Sequence, residues 1–146
     1  MKLLFDTSVW IEHLRHAALT PLLSAIRGRL VLCLDAIVAA ELRAGCRSKG
    51  ERRVVAGLCA PHERTGRLLC PTANDFEAAA LALSKLRERG RPISGGKAGL
   101  LDALIVQLAA REGALLITHN LGDFGALASQ IPARVESFEA FAQRFS

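Results

Sequence analysis

Three carboxylates occupy places where a folded chain does not put them without a use. Asp6 closes the run Leu3-Leu4-Phe5, Glu41 lies inside Ile37-Val38-Ala39-Ala40-Glu41-Leu42, and Asp102 lies inside Leu100-Leu101-Asp102-Ala103-Leu104-Ile105-Val106. A buried carboxylate is costly unless it is paired, protonated or bound to a cation. If the fold brings the three together, a divalent metal is the simplest relief. Carboxylate oxygens suit hard cations, and Mg²⁺ typically takes one or two of them while keeping waters, which leaves positions for a phosphate and an attacking water. Phosphodiester hydrolysis is the chemistry such a set would do. A fourth polar cluster, Thr118-His119-Asn120-Leu121-Gly122-Asp123-Phe124, follows the apolar run Ala114 to Ile117. Asn120 can hold a metal-bound water or a phosphate and Asp123 can add a carboxylate, although either can instead cap the next helix. His119 has no nucleophile placed beside it, so general-base catalysis is not assigned to it.

These residues need elements to position them. Leu3 to Phe5 reads as a buried strand, with Thr7 or Ser8 capping a helix through Leu14. A helix over Thr20 to Ile26 follows, then a strand over Leu30 to Leu34, and Asp35 caps a helix that Gly45 ends. Lys49 to Leu58 reads as helix and Leu68 to Cys70 as a short strand. Thr72 or Asn74 opens a long helix that Gly90 ends, Arg91 to Lys97 is a loop, and Gly99 to Arg111 is helix again. Ala114 to Ile117 and a segment beginning at Val135 complete the strands. Strands separated by helices imply a mostly parallel sheet with helices on both faces, whose ligands gather outside the carboxyl ends of the strands. Asp6 and the Thr118 cluster stand at such ends.

Helical phase sharpens the other two. At about 100° per residue, Glu41 lies roughly 140° from the mean direction of Arg43 and Arg47, the evident solvent face. No Arg stands three or four residues from Glu41 on the inward face to pair with it. Asp102 lies roughly 160° from the mean direction of Gln107 and Arg111, the polar stripe of its helix.

The 146 residues, half of them apolar, fit one domain over 1–146. Nineteen Lys and Arg against fourteen Asp and Glu give a net charge of +5, and fifteen of the nineteen are Arg, whose fork suits phosphate. Charge of this size also serves solubility, so by itself it does not decide for nucleic acid. Arg43, Arg47, Arg52 and Arg53 form the densest basic stretch, suited to an RNA backbone or to an acidic protein tail. One Trp, no Tyr and six Phe exclude the stacking platforms of general single-strand binders. The four cysteines are too widely spaced for a zinc site. Neither a signal peptide nor an uninterrupted apolar stretch of about eighteen residues is read in the chain, so a cytoplasmic protein with no membrane partner is expected. Gly90 to Ala98 has the wrong spacing for a nucleotide-binding loop, and Asp6-Thr7-Ser8 lacks the second aspartate of an aspartyl-phosphate transferase.

Leu3-Leu4-Phe5-Asp6-Thr7-Ser8, Ala39-Ala40-Glu41-Leu42, Leu101-Asp102-Ala103-Leu104-Ile105 and Leu116-Ile117-Thr118-His119-Asn120 with Asp123-Phe124 resemble, in order and spacing, the PIN domain. The chain length is similar to that of VapC-type toxins of bacterial toxin-antitoxin pairs. The resemblance implies a three-layer α/β/α sandwich around a parallel sheet, a ribonuclease dependent on Mg²⁺ or Mn²⁺, a cognate antitoxin that blocks the site, and a homodimer. It matches Asp6, Glu41 and Asp102 to the family's first three acidic positions. At the fourth this chain departs from the commonest pattern, with Asn120 in place of an aspartate and Asp123 three residues on. On this reading Asp6 and Asp102 ligate the metal, and Glu41 and Asp123 orient or deprotonate the water. Thr7 or Thr118 holds the scissile phosphate, while Arg43 and Arg47 carry the RNA. A structure-specific DNA nuclease on the same fold and a non-catalytic interaction module are the alternatives.

Overall fold

A computed structural model describes residues 1–91, 93 and 97–146. The expected loop at 91–97, and the segment set aside as a nucleotide-binding loop, lie largely outside the described residues. The chain runs β1 (Lys2–Phe5), α1 (Thr7–His16), α2 (Thr20–Ile26), β2 (Val31–Leu32), β3 (Leu34–Asp35), α3 (Ala36–Ala44), α4 (Lys49–Arg64) and β4 (Leu68–Leu69). It continues with α5 (Ala73–Glu88), α6 (Lys97–Glu112), β5 (Leu115–Thr118), α7 (Leu121–Ala128), β6 (Arg134–Ser137) and α8 (Phe138–Gln143).

A four-stranded sheet has the order β2-β1-β5-β6 and every pair in it is parallel. Phe5 stands opposite Ile117, and Thr118 opposite Ser137. Consecutive strand residues point to opposite faces, yet Leu3, Leu4, Phe5, Leu116 and Ile117 are all buried. Both faces of the central strands are therefore covered by helices, the α/β/α layering expected from alternating strands and helices.

The strand expected over Leu30 to Leu34 divides at Cys33. Its first part pairs with β1, while Leu34 and Asp35 pair in parallel with Leu68 and Leu69 to make a separate two-stranded sheet. An apolar run cannot announce such a change of partner, because both halves are equally apolar. The helix after Ser48 runs six residues beyond its expected end, through Pro61 to Arg64. The turn at Phe138–Gln143, with Phe141 fully buried, is a helix that sequence reasoning did not anticipate.

Helices α5 and α6 pack antiparallel, and a buried aspartate fixes their register. Asp75, 1% exposed, accepts from Thr72 N–H in a reciprocal capping box, from Gln107 Nε2 at 3.1 Å and from Arg111 Nε at 2.8 Å. Arg111 also donates through Nη2 to Cys70 O at 3.0 Å. Burial pushes the Asp75 carboxyl up, but these donors together hold it below its ordinary value. Gln107 and Arg111 were expected to form a solvent stripe. Instead they clamp the end of α6 to the start of α5.

Candidate active site

Asp6 is the residue where β1 ends and α1 begins. It is the N-cap of α1, a role Asp often takes, and its Oδ1 accepts from Val9 N–H at 3.2 Å and from Ser8 Oγ at 2.6 Å. Capping does not exhaust it. Its Oδ2 accepts from Thr118 Oγ1 at 2.5 Å, across the β1–β5 boundary, and its backbone N–H donates to Ile117 O at 3.0 Å. Asp6 is 3% exposed and Thr118 fully buried, so the carboxylate is held from three directions with little water to share the work.

Thr118 is itself oriented. Asn120 N–H donates to Thr118 Oγ1 at 2.9 Å, which leaves the hydroxyl proton for Asp6. Asn120 is the N-cap of α7, accepting from Asp123 N–H at 3.4 Å, and its Nδ2 donates to Asp123 Oδ2 at 3.3 Å. The capping role and the proximity to Asp123 thus coexist in one residue.

Glu41 is half-buried in mid-α3, and Thr7 Oγ1 donates to its Oε1 at 2.7 Å. Asp102, half-buried one turn into α6, is the electrostatic focus of the cleft. Burial first, then the charges of Glu41, Asp6 and Asp123, push its carboxyl up to about 7. Four carboxylates from four segments of the chain therefore share one field. Among the described residues, no three His, Cys, Asp or Glu side chains already stand in ligating geometry. A hydrated hard cation needs only one or two protein carboxylates and takes waters for the rest. The donors are all oxygens, and their mutual repulsion is what a divalent cation would relieve.

The two arginines expected to carry substrate lie elsewhere on α3 and beyond it. Arg43 is exposed and its Nη2 donates to Glu63 Oε1 at 2.9 Å, while Arg47 lies past the end of α3 in an exposed position. Beside Glu41 a groove of about 650 Å³ opens between α1, α3 and α4, lined by Ile11, Leu14, Leu42, Val54 and Val55 together with Arg15, Glu41 and Glu51.

Several contributors escaped sequence reasoning. The His119 imidazole is paired to Glu12 of α1 and faces Glu139 of α8 at 3.5 Å, with the Phe138 ring 4.9 Å away, and its backbone N–H reaches Ser8 Oγ at 3.4 Å. Only Asp-Thr-Ser after a strand hinted at Ser8, and nothing hinted at the glutamates. Asp35 was recognised as a cap, and its Oδ1 does accept from Ile37 N–H at 2.7 Å. Its Oδ2 is buried with no hydrogen-bond partner among the described residues. Burial pushes the Asp35 carboxyl up to about 7, with backbone donors opposing and the charges of Glu41 and Asp75 adding to the rise.

Fold and site together define a parallel α/β protein with an acidic cleft at the carboxyl ends of its central strands. Residues 3–128 match the PIN domain, and the chain belongs to that family. No curated protein sequence matches the chain. Among solved structures, the fold is similar to VapBC-1 from nontypeable Haemophilus influenzae, with a TM-score of 0.71 and 20% identity over 95% of this chain and 99% of that one. It is also similar to VapBC2 from Rickettsia felis, a structure bound to a promoter DNA fragment, with a TM-score of 0.68 and 20% identity over 94% and 99% of the two chains. VapBC-5 from Mycobacterium tuberculosis, a member of the VapBC family of toxin-antitoxin systems, gives 0.59 and 23% identity over 93% and 96%. Among the described residues no helix is long and apolar enough to cross a membrane.

Proposed function

We propose that this chain is a metal-dependent endoribonuclease and the toxin of a toxin-antitoxin pair. The observation that carries the reading is the convergence of Asp6, Glu41 and Asp123 on Asp102 in a chain of the PIN family. Asp6 and Asp102 would hold Mg²⁺ or Mn²⁺, which when bound supplies charge neutralisation at the phosphate and a more acidic water.

The chain's own residues do the rest. Ser8, Thr118 and the α1 N-terminus fix Asp6, so its carboxylate needs no reorganisation when substrate arrives. Glu41, braced by Thr7, and Asp123, braced by Asn120, are the carboxylates left to orient or deprotonate the attacking water. Asp123 therefore takes the fourth acidic position and Asn120 orients it. Thr7 and Thr118 each donate their hydroxyl proton to a carboxylate, Glu41 and Asp6 respectively, so either would have to release that bond to hold the scissile phosphate.

The structures similar in fold are of VapBC complexes, and the apolar groove beside Glu41 supports a protein partner here as well. A cognate antitoxin segment lying there would reach the cleft and could place a basic side chain against Glu41. Four free thiols accord with a cytoplasmic location.

Purified protein is expected to cut RNA only with Mg²⁺ or Mn²⁺, and Asp6→Asn to abolish cutting while leaving the circular dichroism spectrum intact. Undiminished cleavage by Asp6→Asn, or cleavage in excess EDTA, would overturn the assignment.

A further inference from the structure

Exposed positive charge unpaired with a carboxylate among the described residues gathers in two stretches, Arg47 to Arg53 around the start of α4 and Lys85 to Arg91 at the end of α5, and only the second lies on a helix packed against α6. Lys85, Arg87, Arg89 and Arg91 are all exposed, and none is paired with a carboxylate among the described residues. Arg43, Arg111 and Arg144, by contrast, are each tied to a glutamate or aspartate. The helix dipole accounts for cations in the last turn of α5, which covers Lys85 and Arg87. It does not ask for Arg89 at the C-cap or Arg91 beyond it.

That end of the helix closes in a defined backbone turn. Gly90, at φ +67°, turns the chain back so that Arg91 N–H donates to Leu86 O at 2.8 Å, six residues closing on one, with Leu86 itself 1% exposed. Its place in the molecule is equally fixed. Because Asp75 clamps the start of α5 to Gln107 and Arg111 at the far end of α6, the basic turn stands beside the beginning of α6. Asp102 is five residues into that helix, about 8 Å along the axis at 1.5 Å per residue. A strand of nucleic acid crossing the turn would arrive at the acidic cleft within a few phosphates.

We infer that the C-terminal turn of α5, with Lys85, Arg87, Arg89 and Arg91, is the track along which the RNA phosphate backbone approaches Asp102. This rests on the ribonuclease reading above. Guanidinium forks at the mouth of an acidic cleft solve a specific problem, since four carboxylates repel a polyanion that must nevertheless come close. Positive charge alongside supplies the attraction and also orients the strand, without reading sequence.

The test is binding of a fluorescein-labelled single-stranded RNA to the full chain in EDTA, where no cleavage is expected, across 50 to 200 mM NaCl. Each single-strand phosphate contact contributes about 0.7 to the slope of log K against log salt, so Arg87→Ala with Arg89→Ala and Arg91→Ala should lower the slope by about 2. Affinity at 100 mM salt should fall at least tenfold. The corresponding Arg→Lys triple should keep most of the slope, and Arg27→Ala with Arg29→Ala, which removes charge before β2, should match the unchanged protein. An unaltered slope in the alanine triple, equal losses on removing Arg27 and Arg29, or no RNA binding by the unchanged protein would each overturn the track. So would poly-glutamate binding with the same slope and the same loss, which would make the turn a surface for an acidic protein. Cleavage in Mn²⁺ is scored separately. Cleavage with an unaltered slope removes the track and keeps the nuclease, whereas a lost slope without any cleavage keeps the track and removes the nuclease.

Discussion

Thr118 and Asp6 are 112 residues apart in the chain, and their side chains meet at 2.5 Å in a buried hydrogen bond. The bond joins the ends of the two central strands, and each partner is oriented from its own side, Asp6 by Ser8 and the α1 N-terminus, Thr118 by Asn120 N–H.

Thr118→Val keeps the shape and removes the proton. A buried carboxylate that loses a donor costs about 1–3 kcal/mol. We expect a corresponding fall in the urea midpoint and a loss of RNA cleavage of at least tenfold, with Thr118→Ser restoring most of both. Cleavage at the original rate in the valine variant would mean that the bond is not needed for chemistry.

Asp102 concentrates the repulsion of three other carboxylates, so the charge-neutral Asp102→Asn relieves it. The expected result is a protein at least as stable as the original that neither cleaves RNA nor takes up Mn²⁺ in calorimetry. If heat of Mn²⁺ binding survives in this variant, the metal is held elsewhere.

Arg111→Met tests the α5–α6 clamp. Breaking a fully buried pair costs about 3–5 kcal/mol, and because the Arg111 side chain is 35% exposed we discount that to about 1–3 kcal/mol. The same variant should weaken RNA binding if the basic turn depends on this register. Unchanged stability would show that Gln107 and the capping box satisfy Asp75 on their own.

Asp35 gives the fold a dependence on pH. Its carboxyl sits at about 7 in the folded chain, above its ordinary value, so between about pH 4 and pH 7 the folded state binds the proton that the unfolded state releases. Stability from this group is full below that window and lost as pH rises through about 7. At about 1.4 kcal/mol per pH unit the difference is on the order of 4 kcal/mol, to which Asp102 adds in the same sense. Guanidinium denaturation should therefore give a higher midpoint at pH 5.5 than at pH 8, and Asp35→Asn should remove the Asp35 share of the difference, about half, leaving that of Asp102. A midpoint that rises with pH in the original protein would reverse the sign and refute the argument.

What could be read from the sequence followed from periodicity. Phase placed Glu41 away from Arg43, and strand ends placed Asp6 and Thr118 at the carboxyl edge of the central strands, because these depend only on local geometry. The same reasoning took Gln107 and Arg111 for a solvent stripe, since a polar pair facing water and one facing a buried Asp75 look alike along a helix. Asp75 and the open oxygen of Asp35 were invisible for the same reason: their burial is set by which helix arrives beside them. The switch of partner at Cys33 depends on Leu68 and Leu69, some thirty-five residues later.

The pairing of β1 with β5 also has a consequence in time. Asp6 is synthesised 112 residues before the Thr118 hydroxyl that completes its surroundings. The acidic cleft built on Asp6 therefore cannot assemble until both central strands have been made.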